Sequence, residues 1–254
     1  MTFDRSQELD FLNSLVADYK DQSPYSRIKK DIIQNLILKS TSNGQSIKVL
    51  QLGCSNGYES DFLVKNFGDV TIVDGSSLFI EKLQKDNSSK SVKYVHALFE
   101  DLLGVLDEKY DVICCNYILE HVYDSGDILR ILRNMLTENG YLFVVVPNAN
   151  ALSRQIACEM KLLVNLTDLT ENDLRHGHRR VYTSTTLREE VAAAGFEIVQ
   201  MKGIVLKILA DFQLNKLLTD GFLTQEHIEA MQRLAEKPEN FELSDSLFVQ
   251  LKAS

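Results

Sequence analysis

The sequence predicts an α/β fold in which a mostly parallel β-sheet is covered by helices on both faces. Short apolar segments recur along the chain, and segments of helical length separate most of them, an alternation typical of parallel sheets. The apolar segments are nearly continuous rather than alternating, as expected for strands that are buried on both faces. The 254 residues contain neither an internal repeat nor a low-complexity linker, so we predict a single domain.

The predicted elements follow in a regular order. The first 40 residues are predicted to be helical, because Leu9, Leu12 and Leu15 recur at helical spacing and Ser23-Pro24 suits the start of a second helix. Strands are predicted at residues 47–52, 70–73, 92–95, 112–115, 141–146, 196–201 and 247–251. Helices are predicted at residues 59–67, 76–85, 124–136 and 185–194, with two more within 204–236. The single domain thus comprises N-terminal helices (1–40), a core (45–147) and two additions on the substrate side (148–183 and 204–240).

Composition excludes several classes of protein. Lys and Arg number 27 against 36 Asp and Glu, and the resulting net charge of −9 disfavours binding to nucleic acid or to an anionic membrane. No apolar run approaches the roughly 18 residues of a membrane span, and the polar N-terminus predicts no secretory signal. The four Cys lack the spacing of a disulfide framework, which indicates reduced thiols. We therefore expect a cytoplasmic protein whose partner is a small molecule.

A glycine-bearing loop follows the first predicted strand and opens a helix. Gly53 and Gly57 allow a ligand to approach the backbone, and Asp74 ends the second strand 21 residues after Gly53. An acid at this distance is suited to accept hydrogen bonds from the two hydroxyls of a ribose, although it could instead cap the following helix. A dinucleotide would prefer G-x-G-x-x-G, but Ser55 and Tyr58 break that pattern. The looser spacing favours S-adenosylmethionine.

Three segments resemble class I S-adenosylmethionine-dependent methyltransferases. Residues 49–57 (VLQLGCSNG) resemble the first motif of that family, and residues 110–122 (YDVICCNYILEHV) resemble its fourth-strand motif. Residues 132–142 (LRNMLTENGYL) resemble the helix, turn and fifth strand that follow. The segments at 147–151 and 177–182 look like those of a subgroup of small bacterial methyltransferases without a defined substrate. The resemblance implies a Rossmann-like fold whose sheet has seven strands, with the last strand antiparallel.

The resemblance also implies a set of residues that bind the cofactor. They lie at the carboxyl ends of the first four strands: Gln51, Gly53, Cys54, Gly57, Asp74, Gly75, Leu98, Phe99, Asn116 and Tyr117. Two positions depart from the family pattern. Gln51 replaces the acid that usually faces the methionine ammonium group, and Ser55 replaces the middle glycine. We expect rearranged cofactor contacts rather than their loss.

Two segments are candidates for the acceptor side. Glu120-His121 could be structural, could provide a general base, or could bind a divalent cation as a similar pair does in ubiquinone-type O-methyltransferases; the additional acids of that site are absent, so we expect no metal. Residues 175–182 (RHGHRRVY) concentrate positive charge in an acidic chain and form either a solvated loop or a pocket wall. In the second interpretation His178 takes the acceptor proton, with His121 as the alternative base. Arg179 or Arg180 would clamp an anionic group, and the predicted substrate-binding residues are Asn148, Arg179, Arg180 and Tyr182.

The predicted function is methyl transfer from S-adenosylmethionine to a small, polar, anionic metabolite, with S-adenosylhomocysteine as product. An oxygen acceptor is preferred over nitrogen because two His are available. Protein or peptide methylation and a non-catalytic cofactor-binding module stay open as alternatives. The apolar residues that precede the last strand suit a pocket cover or the interface of a homodimer.

Overall fold

A computed structural model of the chain describes residues 4–18, 23–41, 47–86 and 92–254. Its seven strands are β1 (Lys48–Leu52), β2 (Asp69–Asp74), β3 (Val92–His96), β4 (Tyr110–Asn116), β5 (Leu136–Pro147), β6 (Phe196–Ile204) and β7 (Ser246–Ala253). They form one sheet in the order β3-β2-β1-β4-β5-β7-β6. Strand β7 runs antiparallel to both β5 and β6, while the other pairings are parallel. The predicted mostly parallel seven-stranded sheet with an antiparallel last strand is confirmed.

Helices cover both faces of the sheet. The helices α1 to α6 are Arg5–Asp18, Pro24–Ser40, Tyr58–Asn66, Ser77–Asp86, Leu102–Val105 and Ser125–Met135. The helices α7 to α11 are Leu152–Glu159, Glu171–Arg175, Ser184–Ala193, Asp211–Thr219 and Gln225–Ala235. Apolar residues of α2, α3, α4, α10 and α11 form the core on one face, and those of α5, α6 and α9 form the core on the other. No described helix has the length and apolar character needed to cross a membrane.

Most differences from the predicted elements lie at their ends. Strand β6 continues to Ile204, so the two helices expected within 204–236 begin only at Asp211. Strand β5 begins at Leu136, which pairs with Tyr110 ahead of a shift in register, so the preceding helix ends sooner than predicted. The short helix α5 was not expected. Residues 1–3 and 19–22 of the predicted N-terminal helices lie outside the described residues.

The order of the strands determines where a ligand can bind. Strand β1 lies between β2 and β4, and its neighbours lead the chain toward opposite edges of the sheet. In open α/β sheets, ligands bind at the carboxyl ends of the strands beside such a reversal of strand order. The loops that follow β1, β2 and β4 therefore meet at one edge, and they carry the predicted cofactor residues.

Candidate active site

A cavity of about 1300 Å³ opens at this edge of the sheet. Its wall includes Gly53 and Asp74 at the ends of β1 and β2, and also Glu120 after β4 and His178 after α8. Single ligand pockets commonly measure about 300–1000 Å³. The cavity is therefore large enough for a nucleoside and a second small molecule side by side.

Backbone geometry explains the glycines of the loop after β1. Gly53 and Gly57 have φ values of 73° and 85°, a left-handed conformation that favours glycine. A Cβ atom at Gly53 would lie 2.8 Å from Ile118 Cδ1, and one at Gly57 would lie 2.6 Å from Leu83 Cδ1. Ser55, which replaces a glycine of the family pattern, also has a positive φ, of 48°. The loop thus keeps the required turn although only two of its residues are glycine.

Asp74 joins the loops after β1 and β2. One carboxylate oxygen accepts a hydrogen bond from the Cys54 amide and the other accepts one from the Ser76 amide, both at 2.8 Å. The side chain is 8% exposed, and burial raises the pKa of its carboxyl group. Asp74 is not the cap of α4, since the Ser76 hydroxyl accepts the hydrogen bond from Phe79 N. It lines the cavity and retains lone pairs for a further donor.

Helix α1 packs against the loop after β2. A Cβ atom at Gly75 would lie 2.5 Å from Leu12 Cδ1 and 3.2 Å from Leu98 Cδ2, so the absence of a side chain lets the helix approach. The Ser76 hydroxyl donates a hydrogen bond of 2.7 Å to Asn13 Oδ1. Leu12 and Leu98 both line the cavity, together with Phe99. These apolar side chains form the part of the wall that suits the flat face of a nucleobase.

Polar groups from β1, β4 and α3 line the cavity beside the glycine loop. Asn116 Nδ2 donates a hydrogen bond of 2.6 Å to Glu59 Oε1, and Gln51 Nε2 donates one of 2.9 Å to the Gly53 carbonyl. The oxygen of each amide is buried and has no hydrogen-bond partner within the described parts of the chain. A buried acceptor without a donor costs about 1–3 kcal/mol. These two oxygen atoms therefore indicate a ligand that donates hydrogen bonds.

The turn after β4 brings two His and a Glu together. Glu120 is fully buried, and neither of its carboxylate oxygens has a partner among the described residues. Burial raises the pKa of Glu120 to about 8. Burial and the nearby His178 lower the pKa of His121 to about 3, so this imidazole is neutral at physiological pH. The rings of His121 and His178 pack edge to face with centroids 4.7 Å apart.

Asp173 of α8 lies close to the His178 ring. The distance from His178 Nδ1 to Asp173 Oδ1 is 3.3 Å, and both side chains are largely buried. Burial alone would raise the pKa of Asp173, but His178 and Thr170 outweigh it and hold the pKa well below its usual range. Asp173 is therefore an ionised carboxylate beside the imidazole, although His178 Nδ1 has no hydrogen-bond partner among the described residues.

Tyr117 has an unusual backbone conformation where the chain leaves β4. Its φ is 56°, which is rare for a residue other than glycine and is often found at functional sites. The ring is held by a hydrogen bond of 3.0 Å from its hydroxyl to Ser246 Oγ, and burial raises the pKa of that hydroxyl to about 12. Tyr117 lines the cavity next to the Glu120 turn.

Comparisons with known proteins identify the family of the chain. The family model described as a methyltransferase domain matches residues 24–201. The chain belongs to this family. It is a class I S-adenosylmethionine-dependent methyltransferase, as its sequence motifs predicted.

Curated relatives agree with this assignment, and a solved structure shares the fold. The chain is 28% identical over 185 residues to a ubiquinone biosynthesis O-methyltransferase of Azorhizobium caulinodans, covering 68% of this chain and 71% of the relative. A protein of the same name from Pseudomonas savastanoi is 32% identical over 105 residues, covering 41% of this chain and 45% of the relative. The N-methyltransferase NodS of Bradyrhizobium japonicum, solved with S-adenosylhomocysteine, shares the fold with a TM-score of 0.60 at 12% identity, covering 99% of each chain.

The cavity of the methyltransferase fits its cofactor. The predicted cofactor residues Gln51, Gly53, Cys54, Asp74, Gly75, Leu98, Phe99, Asn116 and Tyr117 all line it, whereas Gly57 shapes the loop behind it. Acceptor oxygens, an apolar section of wall and a buried carboxylate match the ammonium group, the adenine and the ribose in chemical type. Assignment of individual contacts to these residues stays a proposal.

Neither predicted arginine lines the cavity of the methyltransferase. Arg180 donates to the carbonyls of Leu119, Val122 and Tyr123, each at 2.7 Å. Arg179 donates to the His121 carbonyl at 2.7 Å and pairs with Glu8 of α1. These carbonyls lie in an irregular turn, where they need donors from outside the backbone. The structure therefore does not place Arg179 or Arg180 where either could clamp an anion in the cavity.

The other two predicted substrate residues have structural partners. Asn148 lines the cavity, but its amide nitrogen donates to the Glu242 and Ser244 carbonyls and its oxygen accepts from Asn150 N. Tyr182 is 3% exposed and is absent from the cavity wall. Asn148 thereby joins the start of the 148–183 addition to the segment before β7, and Tyr182 pairs with Asn148 through a β-bridge.

The structure adds a charged cluster that the sequence did not reveal. Lys29 Nζ lies 3.0 Å from Asp245 Oδ2, and Lys207 Nζ lies 2.8 Å from Asp245 Oδ1. Burial opposes the charge of Lys29, but Asp245 outweighs it and holds the pKa of Lys29 well above its usual value. All three residues line the cavity. They come from α2, the segment after β6 and the residue before β7, so no local motif could have linked them.

Proposed function

We propose that this methyltransferase methylates a hydroxyl group of a small molecule, with His178 as the base that takes the hydroxyl proton. The convergence of Glu120, His121 and His178 on the cavity that contains the cofactor residues carries the proposal. S-adenosylmethionine supplies an activated methyl group, so the protein must chiefly orient the acceptor and remove its proton. Two relatives named ubiquinone biosynthesis O-methyltransferase support an oxygen acceptor.

His178 is better suited to this role than His121. The low pKa of His121 prevents it from holding a proton near neutral pH, whereas His178 Nδ1 lies 3.3 Å from the ionised carboxylate of Asp173. Glu120 is largely protonated at pH 7 because its pKa is about 8, so it offers a hydrogen-bond donor rather than a second base. In this proposal His178 is the base, His121 is a neutral packing partner, and Glu120 is a hydrogen-bond donor.

Arg179 and Arg180 give no indication of the charge of the acceptor. Both guanidinium groups hold backbone carbonyls, and the cavity wall contains more acidic residues than Lys and Arg. The proposal therefore names a hydroxyl-bearing molecule without requiring that it be anionic. Glu8 and Leu12 of α1 contribute to the cavity wall, which supports a small acceptor over a protein segment.

Transfer of tritium from methyl-labelled S-adenosylmethionine to phenols, aliphatic alcohols, amines and peptides tests the proposal. We expect transfer to a hydroxyl compound, and His178→Asn should lower kcat about 100-fold, a typical contribution of a general base. The dissociation constant for S-adenosylhomocysteine should stay within about twofold of that of the unchanged protein. Methylation of amines or peptides alone would refute the proposed acceptor class, and unchanged kcat in His178→Asn would refute the proposed base.

The same residues make metal dependence worth measuring. Ligand atoms of Glu120, His121 and His178 lie within 4.8 Å of one another, so the group could hold a metal ion, although the sequence predicted none. Activity after treatment with EDTA, and again after addition of Mg²⁺ or Zn²⁺, separates the two interpretations. Unchanged activity is expected if His178 acts as a base; loss in EDTA with recovery on metal addition would assign the cluster to a cation.

A further inference from the structure

The methyltransferase lacks a negative charge at the end of β1, where its family usually has one. Gln51 occupies that position and is neutral. S-adenosylmethionine has an ammonium group on its methionine moiety, and burying that charge without a counter-charge is costly. Another acid near Gln51 would supply the missing charge.

The neighbouring amides are oriented by their own hydrogen bonds. Because Gln51 Nε2 donates to the Gly53 carbonyl, its oxygen is the end left for another partner. Because Asn116 Nδ2 donates to Glu59 Oε1, its oxygen is likewise the free end. Both oxygens are buried without a partner among the residues that the structure describes.

Sheet register places these groups on the same face. Gln51 pairs with Cys114 across the parallel strands β1 and β4, and paired residues project to the same side. Asn116 follows Cys114 by two residues, so it shares that side. Glu59, in the first turn of α3, reaches Asn116 from the helix layer above.

We propose that Glu59 supplies the carboxylate for the cofactor's ammonium group in place of an acid at position 51. A primary ammonium has three N–H donors, which match the Glu59 carboxylate, Gln51 Oε1 and Asn116 Oδ1. Burial raises the pKa of the Glu59 carboxyl group, and both the Asn116 amide and Lys30 of α2, which also lines the cavity, oppose that rise. This inference rests on the cofactor alone and is independent of the proposed acceptor and base.

Isothermal titration with two ligands tests the inference without any acceptor. One ligand is S-adenosylhomocysteine, and the other is its analogue without the α-amino group. Glu59→Gln should weaken S-adenosylhomocysteine about 10- to 100-fold, as expected for a charge-assisted hydrogen bond, and should change binding of the analogue less than about threefold. The exposed residue Glu81 provides the control: Glu81→Gln removes the same charge and should change neither affinity.

A second variant tests whether a carboxylate at position 51 can replace the one at position 59. In Gln51→Glu/Glu59→Gln, binding of S-adenosylhomocysteine should recover to within about fivefold of that of the unchanged protein. Equal weakening of both ligands in Glu59→Gln would overturn the inference, because it would indicate a general disturbance of α3. Unchanged affinity would overturn it as well. The ratio of the two dissociation constants does not depend on how much of a variant is folded, so partial misfolding cannot hide the result.

Discussion

Glu120→Gln should remove a large pH dependence from the stability of the methyltransferase. Burial raises the pKa of Glu120 from its ordinary value of 4.5 to about 8 in the folded protein. A raised carboxyl pKa means that the folded state holds the proton more tightly than the unfolded state does. The stabilisation that comes from the proton on Glu120 is complete below pH 4.5 and is lost progressively as the pH rises to about 8. Each unit of pKa corresponds to about 1.4 kcal/mol, so the full loss is about 5 kcal/mol.

Urea unfolding of the unchanged protein and of Glu120→Gln between pH 5 and 9 measures this difference. The glutamine has the same shape and cannot ionise, so the variant should gain about 4 kcal/mol of relative stability between pH 5 and pH 8, and the difference should level off above pH 8. Glu81→Gln, on an exposed face of α4, should follow the unchanged protein throughout. Parallel curves for the unchanged protein and Glu120→Gln would show that the carboxyl group ionises normally and would refute the reasoning.

Three further predictions concern binding and stability. Asp74→Ala should weaken S-adenosylhomocysteine about 30- to 150-fold by isothermal titration, because the cavity loses a carboxylate and the Cys54 amide loses its acceptor; unchanged affinity would remove Asp74 from the site. Arg180→Ala should lower the free energy of unfolding by about 2–3 kcal/mol in urea, because three carbonyls lose their donor; a change below 0.5 kcal/mol would contradict this role. Lys207→Met should lower the free energy of unfolding by up to about 3–5 kcal/mol in the same assay, because buried Asp245 then loses one of its two close cations among the described residues; Lys216→Met, at an exposed position of α10, is the control.

The sheet could be predicted because its signals are local. Each strand is a short apolar run, and the helices between strands have their own spacing and caps, such as Asp124 accepting from Asp127 N at the start of α6. Register is not local, however. The early start of β5 at Leu136 depends on pairing with Tyr110 across the sheet, which no single segment could indicate. The four-residue helix α5 is too short to show a helical period.

Residues of the candidate site were predictable only where chain position determines them. Asp74 and Asn116 end parallel strands, so the topology alone brings them to one edge. Glu59 and Asp173 are on helices, and which cavity they reach depends on how those helices pack. The cluster of Lys29, Lys207 and Asp245 joins segments up to 216 residues apart. Such residues have no shared motif, since only tertiary packing makes them neighbours.

The arginines show that a basic segment in a sequence does not reveal which way its side chains point. The basic segment was expected to face an anion, but Arg179 and Arg180 instead hold the carbonyls of the turn that carries Glu120 and His121. The Arg179 amide also donates to the Glu120 carbonyl, at 2.7 Å. Because His178 directly precedes these contacts, the same segment fixes the turn and brings the proposed base to it. Arg179 and Arg180 therefore position the turn beside the proposed base, and the charge that repels or attracts an acceptor must come from the residues that line the cavity, Arg175 among them.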